Sequence, residues 1–280
     1  MKGIRQDVLI VTWATVANAT AKRLVLLAGA MLVLLFGGLH SALAETVTAS
    51  IPVTGPQEVA VNAITNKIYV TSATATSGAL LVINGVNGSI VNTVNLSNTH
   101  TAPRGVAVNA TTNRIYVAHY QGSKVSVIDG NTNTVIATVN VGSYPLGVAV
   151  NAITNKIYVA NEGSGTVSVI DGSTNSVVTT LSGFQNPSFV GVNPTNNMIY
   201  VSNYFGNSVS VINGATNGVI ATVPVGGNPR GVAVNPATNK IYVVNQATDN
   251  MSVINGANNT VVATAHMPAS PPPAHLGAWR

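Results

Sequence analysis

Few side chains in this sequence can do chemistry. Cysteine is absent from the 280 residues, which removes a thiol nucleophile, a thiolate metal site, a disulfide framework and thioether-attached haem together. Beyond residue 44 the acids are Glu45, Glu58, Asp129, Glu162, Asp171 and Asp249. Asp129 and Asp171 begin hairpin turns whose counterparts begin with Asn84, Asn213 and Asn255, so these two carboxylates are expected to shape turns rather than move protons. Of the histidines, His40 lies in the N-terminal segment, His266 and His275 flank an irregular tail, and His100 and His119 fall in loops expected to share a face. Two imidazoles without a third ligand do not define a metal site. Neither a Gly-rich phosphate loop nor a Ser nucleophile motif is present. These residue types predict recognition rather than catalysis: no enzyme, no cofactor and no metal.

Recognition has better candidates. Tyr120, Tyr144, Phe184, Phe189, Tyr204 and Phe205 fall in loops expected at one end of the fold, with His119, and Arg104 and Arg230 stand just ahead of short Val-rich strands. The ligand face is assigned to Tyr120, Tyr144, Tyr204, Phe205, Arg104, Arg230 and His119, whereas Phe184 and Phe189 suit gap-filling. At the opposite end Lys67, Arg114, Lys156 and Lys240 form a cationic ring interrupted at Met198, expected to serve solubility and edge protection.

The elements that must position these residues come from a repeat. Tyr69, Tyr116, Tyr158, Tyr200 and Tyr242 each sit in an Ile-Tyr-Val step, at spacings of 47, 42, 42 and 42. The longer first unit carries its extra residues around Ala73 to Ser77 and Ser97 to Thr101, where loops tolerate them. Each unit reads as four short strands, as in Gly147 to Asn151, Lys156 to Asn161, Thr166 to Ile170 and Ser176 to Leu181. Gly88 replaces Asn133, Asn175, Asn217 and Asn259, a swap that predicts a left-handed backbone there. Four antiparallel strands repeated at this period predict an all-β fold, a β-propeller with five repeats visible, as in an incomplete larger propeller. Pro224 in the fourth strand, lacking an amide hydrogen, marks that strand as outermost.

Composition agrees: 46% of residues are hydrophobic, 5% aromatic and 7% charged, so the core must be built from Val, Ile and Ala. The formal charge of +5 is concentrated in residues 1–44 through Lys2, Arg5, Lys22 and Arg23, and a nucleic-acid partner is not expected. Lys22-Arg23, the apolar run Leu24 to Phe36 and Ala42-Leu43-Ala44 predict a signal peptide over residues 1–44 with a long leading region, cleaved after Ala44, and no membrane span in the mature chain. An uncleaved anchor is the alternative. Residues 45–267 hold the repeats and 268–280 a Pro-rich tail.

Tyr158-Val159-Ala160-Asn161, Tyr200-Val201-Ser202-Asn203 and Tyr242-Val243-Val244-Asn245 precede Ser-Val-Ile-Asp-Gly or Ser-Val-Ile-Asn-Gly, with Ser72 and His119 replacing the Asn in the first two units. In these residues the chain resembles the YVTN-repeat propellers, a group with surface-layer and YncE-like members, over roughly residues 46 to 267. The resemblance implies a propeller scaffold, commonly of seven blades, that hosts varied binding roles. The strand Thr46 to Val53 matches the outer strand Val219 to Val225 and is one more than five blades need. The function expected is an exported, non-catalytic binding or structural module of the periplasm or cell surface, meeting an extracellular or envelope protein or glycan. The alternatives are a propeller enzyme such as a lyase or quinone-dependent oxidoreductase, and YncE-like nucleic-acid binding.

Overall fold

A computed structural model describes residues 7–11, 24–27, 49–74, 77–96 and 102–266. Among them there is no helix, and the repeats form five separate four-stranded antiparallel sheets. Blade 1 comprises Pro56–Asn62, Lys67–Ala73, Gly78–Asn84 and Ile90–Asn95; blade 2, Pro103–Asn109, Arg114–His119, Lys124–Asp129 and Thr134–Asn140. Blade 3 comprises Pro145–Asn151, Lys156–Asn161, Thr166–Asp171 and Ser176–Ser182; blade 4, Pro187–Asn193, Met198–Asn203, Ser208–Asn213 and Gly218–Pro224. Blade 5 comprises Pro229–Asn235, Lys240–Asn245, Asn250–Asn255 and Thr260–His266. The fourth strand lies at the outer edge of each sheet, and the register shifts where it meets the third, for instance between Val127 and Ile128. Such bulges twist an exposed edge away from further pairing.

The turns follow the residue chemistry. Asn66, Asn113, Asn155, Asn197 and Asn239 close the first hairpin of each blade at φ of 49° to 56°, and Gly88 shares the left-handed region with Asn133, Asn175, Asn217 and Asn259. Asn tolerates this backbone better than other side chains that carry a Cβ.

Blades stack through apolar faces that alternate along each strand. Tyr69, Leu80, Val82 and Val94 of blade 1 meet Val106, Ile115, Val117 and Ile128 of blade 2. The same interlock joins blade 2 to 3, 3 to 4 and 4 to 5. Tyr69, Tyr116, Tyr158 and Tyr200 are fully buried in these seams. Burial raises their hydroxyl pKa values, that of Tyr158 to about 12, as desolvation of a phenolate requires. Polar latches run beside the seams. The inner strands of blades 1 to 4 each end in an Asn whose Nδ2 donates to the first-hairpin Asn of the next blade: Asn62 to Asn113, Asn109 to Asn155, Asn151 to Asn197 and Asn193 to Asn239, all at 2.8 or 2.9 Å.

Among the described residues no such seam joins blade 5 back to blade 1, so the five blades form an open arc. Tyr242, the blade 5 counterpart of the buried tyrosines, is only half-buried. The leading strand behaves differently from its sequence match to an outer strand. Ala49–Pro52 pairs with Asp7–Val11, which also pairs with Leu24–Leu27, and Ile51 and Val53 cover Ile68, Val70 and Ile83 on the free face of blade 1. It caps the first blade because, among the described residues, no other blade buries that face.

Candidate functional site

Antiparallel alternation puts the loops between second and third strands at the same end as the links between blades. Backbone bonds tie the two loop sets together: Tyr120 N donates to Ala102 O, Glu162 N to Tyr144 O, and Tyr204 N to Asn186 O. This end carries the aromatic residues and arginines of the predicted ligand face, in two groups.

In the first, the Arg104 guanidinium lies 4.8 Å from the ring centre of Tyr120, and Tyr120 and Tyr144 pack at 5.2 Å with an interplanar angle of 43°. Burial, followed by a hydrogen bond to Glu162, raises the Tyr120 hydroxyl pKa. In the second, Arg230 sits 5.1 Å from the ring centre of Tyr204, which meets Phe205 edge-on at 5.1 Å. Cation–π contact of this kind holds a guanidinium in place without neutralising it. Tyr144 and Phe205 are 49% and 71% exposed, which leaves ring faces open for contact.

The structure therefore brings Arg104, Tyr120 and Tyr144 together, and separately Arg230, Tyr204 and Phe205. His119 belongs to neither group. It ends the second strand of blade 2, fully buried, with Nε2 2.8 Å from Ser126 Oγ. That is the position of Asn161, Asn203 and Asn245, whose Nδ2 atoms donate to Ser168, Ser210 and Ser252. An imidazole nitrogen replaces an amide nitrogen in a repeated core bond, so His119 lies in a strand and not on an exposed loop. His100 lies outside the described residues. Phe184 is buried between blades 3 and 4, and Phe189 is half-buried on the inner strand of blade 4.

Of the basic residues at the other end, Lys67 and Lys156 are latches between blades, while Lys240 is exposed. Lys67 Nζ donates to Gly130 O at 2.8 Å and Lys156 Nζ to Gly214 O at 2.9 Å, each on the next blade, and Arg114 pairs with Asp129 at 3.0 Å. Backbone N–H groups of Asn131 and Thr132 hold the Asp129 carboxyl below its usual range, and the Ser173 hydroxyl and N–H do so for Asp171. Both act as turn residues.

One acid differs from these. Glu58 is the third residue of the inner strand of blade 1, where blades 2, 3 and 5 have Gly105, Gly147 and Gly231 and blade 4 has Phe189. Glycine at 105 and 147 lets the next inner strand approach: a Cβ there would meet the Leu146 carbonyl and the Ser188–Phe189 backbone. Glu58 instead sends its side chain to blade 2, where Oε2 accepts from Val106 N at 3.2 Å. Its backbone N–H donates to Thr71 Oγ1, and that hydroxyl donates to Arg104 O at 2.6 Å. Burial pushes the Glu58 carboxyl from its usual 4.5 up to about 8, partly offset by the Val106 N–H, while the residue as a whole stays half-exposed. A carboxyl that changes charge near neutral pH can exchange protons with a substrate that reaches it. Sequence reading missed it because nothing marks Glu58 except its departure from a glycine position.

The fold and these inner strands define a β-propeller. Residues 155–265 match the family described as "Lactonase, 7-bladed beta-propeller". Among solved structures, one titled "Kuenenia stuttgartiensis Hydrazine Synthase" is similar with a TM-score of 0.58 and 14% identity, covering 77% of this chain and 87% of that one, which shows the shared fold. No curated protein matches the chain. The family match corrects the expectation of a non-enzyme, since the blades it covers are similar to those of lactonases. Thinly scattered acids and histidines had suggested otherwise, because the side chains of a propeller site converge from separate blades and form no local motif.

Proposed function

We propose that this chain is a propeller enzyme that opens a lactone ring by hydrolysis, with Glu58 as the proton-transfer group at the loop end of the inner strands. The buried Glu58 carboxyl, raised to about 8 and placed where other blades have glycine or phenylalanine, carries the reading. The similarity of residues 155–265 to lactonases supports the reaction class. As carboxylate, Glu58 takes a proton from water while the water oxygen bonds to the lactone carbonyl carbon. The resulting tetrahedral oxyanion collapses, the ring C–O bond breaks, and the proton on Glu58 passes to the departing oxygen, giving the hydroxy acid.

Two finer readings accompany it. The repeat is of the YVTN type, on the strength of the tetrapeptides at Tyr158, Tyr200 and Tyr242. The chain is exported, on the strength of Lys22-Arg23 and Ala42-Leu43-Ala44, so N-terminal sequencing of the extracytoplasmic protein should begin at Glu45.

The direct test is purified protein assayed with δ-gluconolactone and γ-butyrolactone after subtraction of spontaneous hydrolysis. Turnover is expected with at least one, and Glu58→Gln should lower kcat by about 100-fold or more while the fold is kept. Absence of turnover, or turnover untouched by Glu58→Gln, would sink the assignment.

A further inference from the structure

Tyr144 is held in a conformation its residue type disfavours. Its φ is 50°, and it precedes Pro145, which biases a residue toward extended backbone. The same link carries Gly55 before blade 1, Asn186 before blade 4 and Asn228 before blade 5, all at positive φ and all types that tolerate it. Only before blade 3 does an aromatic residue occupy this backbone. Space has been left for its ring as well, because a Cβ at Gly163 would collide with the Tyr144 side chain.

The ring so displayed stands beside a matched set of polar groups. Tyr144 is 49% exposed and leans on Tyr120. Arg104 stacks on Tyr120, and its Nε is buried without a hydrogen-bond partner among the described residues. Glu162 bonds to the Tyr120 hydroxyl and is half-exposed. One guanidinium and one carboxylate give the group no net charge, a planar donor fork and an acceptor pair, next to an open aromatic face.

We propose that Tyr144, Arg104 and Glu162 form a subsite for a neutral carbohydrate ring. The apolar C–H face of a pyranose stacks on Tyr144, while hydroxyls accept from Arg104 and donate to Glu162. A charge-balanced site gives an anionic sugar no net attraction, since an added carboxylate or phosphate drawn to Arg104 also meets Glu162. The strained Tyr144 backbone is retained for this contact, as strain held at one site in a set of repeats is a mark of function. The proposal goes beyond the lactone reading and does not rest on it.

The test is calorimetric titration of the full chain with cellotetraose, maltotetraose, mannotetraose and chitotetraose, and with polygalacturonate as the anionic comparison. Saturable binding of at least one neutral tetrasaccharide is expected, weaker for the polyanion. Tyr144→Asn should weaken it by about tenfold or more, the scale of one lost aromatic contact, while the thermal midpoint stays or rises because Asn accepts positive φ. Glu162→Gln provides a second, milder variant expected to weaken binding several-fold. Binding to none of the neutral sugars overturns the proposal, as does binding that Tyr144→Asn leaves intact. Sugar binding reads the subsite and lactone turnover reads the proposed reaction, so failure of one is separable from failure of the other.

Discussion

Glu58 and His119 each depart from the residue that their repeat position usually holds, with opposite consequences. His119 fills the Asn position of its strand and keeps the bond to serine, so it is structural. His119→Asn should leave the thermal midpoint within a few degrees of the parent, whereas His119→Ala, which leaves a cavity and an unpaired Ser126, should cost about 2 kcal/mol in urea unfolding. Glu58 replaces glycine with an ionisable group. Its folded pKa, about 8, lies above the usual 4.5, so the native state favours the protonated form. Stability therefore declines as pH rises from about 4.5 to 8 and stays lowered above that. Glu58→Gln should flatten this part of the profile in urea midpoints measured across the range, and an unchanged slope would show that burial does not act on this carboxyl. Neither role was legible in the sequence, because residue type alone does not say whether a polar group is buried.

At the scale of the element, much could be read beforehand. The four strands, the outermost position of the fourth and the left-handed site at Gly88 all follow from the repeat, since turn residues and proline constrain backbone geometry directly. What could not be read was the use of polar groups between blades. The inner-strand Asn appears in sequence as a turn residue, and it is one: Asn151 Oδ1 accepts from Ile153 and Thr154. Its Nδ2 also bridges to Asn197 of the next blade. Asn235 keeps the turn bonds to Ala237 and Thr238, but among the described residues no further blade receives its amide. Asn151→Ala should thus destabilise more than Asn235→Ala, by about 1 kcal/mol, the net value of one hydrogen bond. Chemical unfolding of the two variants measures the difference, and equal losses would mean the bridge contributes nothing. Lys67 and Lys156 act in the same way, anchoring to Gly130 and Gly214 rather than forming a solvated ring.

For the whole molecule, the consequence of an open arc is uneven stability. Among the described residues, blades 2, 3 and 4 have neighbours on both sides whereas blade 5 has one, and its outer strand Thr260–His266 is exposed along its length. In such nearest-neighbour stacks, stability is a sum of unit and seam contributions. Amide exchange should be slowest in Lys156–Asn161 and Met198–Asn203 and fastest in blade 5, and uniform protection would indicate that the last face is covered. The leading strand shows why completeness was hard to read: its resemblance to an outer strand is a matter of pattern, while its position on blade 1 is decided by which apolar face was left uncovered. The proposed lactone opening is also a matter for the assembled molecule, since Glu58 stands on blade 1 while its carboxyl accepts from Val106 of blade 2. The pH dependence of kcat/KM for lactone opening tests this most directly. The rate should rise through an apparent pKa near the value of about 8 set by burial of Glu58, and Glu58→Gln should abolish that rise. A profile without a break near 8, or one that survives the substitution, would contradict the assignment.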